Sequence, residues 1–171
     1  MTPARRILIL GGIALAVMGM CHGTWYAVFA EHQALDRMGG SLVSAFTQAA
    51  NRDSTQAQLA LASYREAKYA YDRQVDAHGH WIGLAMLLIE LGIVFDRVAF
   101  RENHKSLLAI GLLTGASTFP LSVLLQALSH GSLPRMLSIV SSALMIATLA
   151  ITVFGFASDR SNPNAAPTAK R

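Results

Sequence analysis

Cysteine is nearly absent: Cys21 is the only one in 171 residues. A single thiol forms no intramolecular disulfide and no C-x-x-C pair, which excludes the four-helix thiol oxidoreductases of membranes. Cys21 lies inside an apolar run and reads as a small packing residue. Charge is also scarce. Lys, Arg, Asp and Glu make up 14% of the chain, against about a quarter in an ordinary soluble domain. Catalytic signatures are missing. There is no H-E-x-x-H or H-x-x-x-H pair, no Cys/His set at zinc spacing and no glycine-rich phosphate loop. No nucleophile sits beside a base, and no carboxylate pair is spaced for acid–base work. The net charge of +4 is not gathered into a basic patch interleaved with aromatics, so nucleic acid is not an expected partner.

What the chain has instead is apolar length. Hydrophobic residues make up 53% of it. They concentrate in four runs, 7–30, 81–100, 107–128 and 136–157, each near the roughly 20 residues that cross a bilayer as a helix. The fold class expected is therefore all-α: an integral membrane four-helix bundle with an extramembrane helical hairpin, 31–79, between the first and second spans. Residues 1–157 form one membrane domain, and 158–171, with Pro163 and Pro167 and no apolar stripe, form a disordered cytoplasmic tail. Arg5 and Arg6 with Val28 and Ala30 resemble the flanks of a signal peptide. The apolar stretch exceeds the usual h-region of about 7–15 residues, so a retained signal anchor is expected.

The placement of charge sets the orientation. Arg5, Arg6, Arg97, Arg101, Lys105, Arg160, Lys170 and Arg171 all fall on one side if the spans alternate. The 31–79 segment is slightly acidic, and Arg135 is the one further cation on its side. The asymmetry predicts a bacterial inner-membrane protein with both termini cytoplasmic and the hairpin outside. Its partners are then the lipid bilayer and other membrane proteins.

Within the hairpin, Leu35, Met38, Leu42, Ala45 and Ala49 recur at three and four residues, as do Leu61, Tyr64, Lys68, Tyr71, Val75 and His78. Each set lies along one helical stripe, as in a short antiparallel coiled coil about 30 Å long. Asn51 to Ser54 break the pattern, with Asp53 or Ser54 a suitable N-cap, and Gly39-Gly40 invites a kink.

Glu90 stands out within the spans. It follows Trp81, an expected headgroup-level marker, by nine residues, which puts it about 13 Å deep. A carboxylate there is costly and usually finds a partner, a cavity or a proton path. Pro120 interrupts the third span at a similar level and frees the Ala116 carbonyl, which Ser117 or Thr118 would satisfy. The expectation is a protonated Glu90, its pKa raised by desolvation, bonding into the Pro120 kink or to Ser141 or Ser142. Two roles stay open: a structural helix-to-helix clip, or a proton relay or ligand anchor such as a quinone pocket.

Histidines form the second constellation. His22, His78, His80 and His130 gather toward the outer side, with His32 just above. Imidazole ligates haem iron and transition metals. His78 and His80, two apart, point about 200° from each other on a helix and share a metal only if Gly79 breaks it. A bis-histidine haem b fits His80 with His130 best in depth, and His22 with His80 after a shift of about 7 Å. Two small-residue pairs, Gly19/Gly23 and Gly111/Gly115, suit close helix packing. The cluster of Asp96, Arg97 and Arg101 reads as snorkelling interfacial charge.

Residues 76–83, Asp-Ala-His-Gly-His-Trp-Ile-Gly, open an apolar helix. They resemble the His-x-His helix starts of certain uncharacterised bacterial four-helix inner-membrane proteins, which are similar to single units of haem-copper oxidase subunits. The resemblance covers the second and third spans and implies a haem or metal contact at His78 or His80. The functional expectation is a non-enzymatic accessory or assembly subunit of a larger membrane complex. The alternatives are a haem- or metal-binding redox protein using the outer histidines, and a lipophilic-ligand or quinone-binding protein built around Glu90.

Overall fold

Pro3 opens the first helix, α1 (Pro3–Trp25), where its missing N–H costs nothing and its φ is already helical. Among the described residues, 1–129 and 131–159 of this computed structural model, every regular element is a helix. A π-helical turn, Tyr26–Ala30, joins α1 to α2 (Glu31–Ala50), so the two form one rod. Next come α3 (Ser54–Val94), a short 3-10 turn (Phe95–Arg97), α4 (Glu102–Leu128) and α5 (Ser132–Asp159). Four of the resulting rods are long and apolar enough to cross a membrane.

The helices α1, α3 and α4 pack on one another, while α5 packs chiefly on α4. Small residues let them approach. Ala4, Ala77, Ala85, Ala109 and Ala116 are fully buried, and a methyl at Gly12 would meet the Ala85 carbonyl oxygen at 2.9 Å. Gly111 and Gly115 admit Thr148 and Met145 of α5. Large apolar side chains instead cover the outside: Leu10, Val17, Met20, Ile93, Leu107, Ile146 and Val153 are all more than half exposed. Apolar belts of this extent are disfavoured in water.

The hairpin forms as expected, with α2 lying along α3. Asp53 is the N-cap of α3, its carboxylate accepting from the Gln56 amide at 3.0 Å. Arg52 makes the turn with φ of 59°. The break that Gly39-Gly40 invites does not occur, and α2 stays helical through both. The seam differs in part from the expected stripes. Met38, Leu42, Ala45, Tyr64 and Tyr71 turn inward, whereas Leu35, Leu61 and Val75 are exposed. Ala34, Ala57, Ala60 and Ala67 complete the seam, because alanine lets the rods approach more closely than leucine allows.

Four boundaries move. The helix of the second span stops at Val94 rather than Phe100. Val98 is in extended backbone, the Ala99 amide donates to the Gly155 carbonyl of α5 at 3.1 Å, and Val98 and Phe100 fill the space a Gly155 side chain would take. Tertiary packing thus overrides the apolar run. Both α4 and α5 begin several residues before their apolar runs. At its far end α5 continues to Asp159, past the expected start of the tail at 158. Residues 160–171, like His130, lie outside the described residues.

Candidate functional site

The junction of the helical rods with the hairpin holds the densest polar and aromatic cluster. His78 of α3 lies over Gly19 and Gly23 of α1. Its Nδ1 is 2.9 Å from the Gly19 carbonyl, and a side chain at Gly23 would overlap its ring. Gly19 also gives room to Trp81, whose Cβ would sit 2.9 Å from an added methyl. The small pair therefore seats two side chains of α3 and is more than a backbone contact.

His22 sits beside them. Its Nε2 is 3.0 Å from Gln74 Oε1. Its ring meets Trp81 edge-on at 5.2 Å and stacks on Tyr26 at 6.4 Å. These partners set the tautomers. A carbonyl only accepts, so His78 carries its proton on Nδ1 and His22 carries its proton on Nε2. The other His22 ring nitrogen is Nδ1. That atom and the Trp81 indole Nε1 are both buried without a hydrogen-bond partner. Buried polar atoms of this kind are uncommon and mark a strained or functional place.

Tyr26 is drawn inward by the π-helical turn, while Trp25, Val28 and Phe29 face out. Such turns often occur at functional sites. Tyr26 packs at 6.2 Å on Tyr71, whose hydroxyl donates to Glu31 Oε1 at 3.2 Å. That hydrogen bond, then partial burial and the Glu31 charge, hold the Tyr71 phenol above the ordinary tyrosine range. Above this layer a groove of about 870 Å³ runs up between α2 and α3, lined among others by Tyr26, Gln33, Arg37, Tyr71, Gln74 and Leu128. Gln74 thus faces the groove and holds His22 at once. Trp81 was legible in the sequence as an aromatic anchor. Gln74, Tyr71 and Glu31 were missed as site residues, because only pairing of the two rods brings residues 40 or more positions apart together.

Other expected site residues disperse. α3 is unbroken through Gly79, so His78 and His80 do not converge on a shared metal. The His80 ring packs edge-on against Phe119 of α4 at 4.8 Å, away from His22. Among the described residues no group of three or more His, Cys, Asp or Glu side chains is placed to hold a metal ion.

Glu90 corrects the deepest expectation. Its side chain is exposed, and it makes no hydrogen bond or ion pair among the described residues. Leu88, two residues before it, is fully buried, and two helical steps turn Glu90 about 200° away from that core face. Ser141 and Ser142 do not meet it. Their hydroxyls donate within α5, to the Leu137 carbonyl at 2.6 Å and the Ser138 carbonyl at 2.7 Å. The depth argument gave Glu90 a height but not a direction. Pro120 is buried inside a continuous α4. Ser117 and Thr118 donate to the Leu113 and Thr114 carbonyls, so neither serves the Ala116 carbonyl.

At the opposite end, Asp96 ties the helices together. It accepts from Thr2 at 2.6 Å and pairs with Arg5 at 3.2 Å. Lys105 is buried, and its ammonium donates to the Asp96 carbonyl at 3.0 Å and pairs with Glu102 at 3.4 Å. This is a tether between α1, the 3-10 turn after α3, and α4, not merely snorkelling charge. Compared with known proteins, the chain matches no family model, no curated protein and no solved structure.

Proposed function

We propose that this chain is a multi-pass bacterial inner-membrane protein with both termini cytoplasmic. It acts as a non-enzymatic accessory or assembly subunit that presents its α2–α3 hairpin to another protein on the outer side. The membrane placement is supported by four long apolar rods whose outer faces are greasy and whose interfaces are small. The orientation is supported by the basic residues at the ends away from the hairpin.

One observation carries the accessory role. Val43 and Phe46 are 67% and 72% exposed on the hairpin. They stand about 20 and 24 Å beyond Ala30, too far along α2 for lipid to cover them. Leu35, Leu59 and Leu61 are exposed on the same hairpin. Apolar side chains clustered on a polar projection mark a protein contact.

A photo-crosslinker in place of Phe46, in cells, tests this. The expected result is one discrete adduct with a protein other than this chain, lost in Val43→Asp. A crosslinker that yields no protein adduct, while an impermeant maleimide still labels Thr55→Cys from outside in a Cys21→Ser background, would overturn the accessory role. A label reaching Thr55→Cys only from the cytoplasm would overturn the orientation.

A second reading, an amphiphilic or quinone-like ligand, is favoured by the groove beside Tyr26 and Gln74. It does not involve Glu90, which lies outside that groove. For a haem b or transition metal, His22 is engaged by Gln74, His78 by the Gly19 carbonyl and His80 by the Phe119 ring.

A further inference from the structure

The face of α3 that carries Glu90 has no occupant among the described residues. Gly79, Gly83, Met86, Glu90 and Ile93 are exposed, at steps of four, three, four and three residues. That spacing runs straight along the side of a helix packed on a near-parallel neighbour. A side chain at Gly79 or Gly83 would meet nothing within 4 Å, so the stripe is open where a second helix would come closest. Glu90 lies about 13 Å from Trp81 and about 10 Å from Arg97 along the helix. Neither end is within reach of its short side chain, unlike a lysine or arginine that snorkels. A carboxyl group facing lipid at that depth is costly unless another polar group covers it.

The nearest other charged groups within the four spans, Asp96 and Arg97, lie six and seven residues nearer the inner end, and Asp96 is taken by Thr2 and Arg5. The hydroxyls of Ser141, Ser142, Thr148 and Thr152 on α5 are committed to carbonyls of their own helix. A second copy inserted the same way brings a polar group to this depth, its own Glu90. Copies inserted the same way are related by an axis along the membrane normal, so equivalent residues meet at equal height. A carboxylic acid both donates and accepts, and two of them at equal height complement each other. We propose that the chain forms a parallel homodimer in the membrane through the α3 stripe from Gly79 to Ile93, with the two Glu90 carboxyl groups hydrogen-bonded across the axis.

This inference rests on the membrane placement proposed above but not on the hairpin's partner. Cysteine cross-linking in lipid vesicles of the full chain, in a Cys21→Ser background, tests it. Met86→Cys should give covalent dimers at least ~5-fold more efficiently than Ile146→Cys on the far helix, because a disulfide needs Cα atoms within about 7 Å. Glu90→Gln, whose amide also donates and accepts, should keep that cross-link. Glu90→Leu should lower it about fivefold to tenfold while keeping its helical circular dichroism. Equal cross-linking of Glu90→Leu, or preferred cross-linking at Ile146→Cys, would overturn the dimer. So would a monomer that captures a foreign chain bearing a basic residue at that depth. Release of the protein from vesicles by alkaline carbonate would overturn the membrane placement and the dimer with it. Retention without a Met86→Cys cross-link would overturn the dimer alone.

Discussion

The His78 ring occupies the hollow left by Gly23 and donates from Nδ1 to the Gly19 carbonyl at 2.9 Å. A glycine pair on α1 is thus the socket for a histidine on α3, at the point where the helical core gives way to the hairpin.

That socket predicts unequal responses among glycines. Gly23→Ala should destabilise the protein by about 1–3 kcal/mol, because the added methyl overlaps a ring fixed by its hydrogen bond. Gly39→Ala meets open space in mid-helix and should stabilise by about 0.5–1 kcal/mol. Thermal unfolding in detergent checks both. Similar losses at the two positions would contradict the socket.

The two half-buried histidines should be opposite tautomers. Nitrogen-15 chemical shifts should place the proton of His22 on Nε2 and that of His78 on Nδ1. Gln74→Leu should remove the acceptor of His22 and cost about 1–3 kcal/mol, because it strands a buried N–H. It should leave the His78 shifts in place. Identical tautomers in the wild type would refute the assignment.

The tether at the opposite end is weighted toward its buried cation. Lys105→Met should cost about 1–3 kcal/mol, since it removes a charged donor from the Asp96 carbonyl. Arg5→Ala should cost less, because its pair with Asp96 is more than one-third open to solvent. Denaturant titration of both variants measures the order, and the reverse order would place the tether at Arg5.

The Tyr71–Glu31 bond has a pH signature. Neutral phenol donates to the carboxylate, so ionising Tyr71 breaks the bond and sets two negative charges together. Its folded pKa is therefore raised above the usual 10, first by the hydrogen bond and then by burial. The stabilisation is fully present below the unfolded value near 10 and disappears as pH rises through the higher folded value. Subtracting the tyrosinate absorbance of Tyr71→Phe should reveal this late transition, and Glu31→Gln should move it earlier. A Tyr71 that titrates first among the four tyrosines would remove the bond from the account.

The sequence by itself determined the inventory. Four apolar runs, scarce charge and a single cysteine led to four long helices. The three-four spacing and Asp53 led to the hairpin and its cap, because period and capping are local properties of a chain. Tertiary structure decided direction and company. Glu90 was given a height but aimed inward, since a height follows from counting residues, whereas the buried face of α3 depends on where α1 and α4 lie. His22 was singled out without Gln74, and Gly19/Gly23 without His78, because those partners meet only when rods more than 50 residues apart in the chain come side by side. Even the end of α3 at Val94 was set by Gly155, whose missing side chain lets Val98 and Phe100 turn back against α5. A linear pattern carries the period of each helix. The rotation of each helix about its axis is fixed only by the neighbours it packs against.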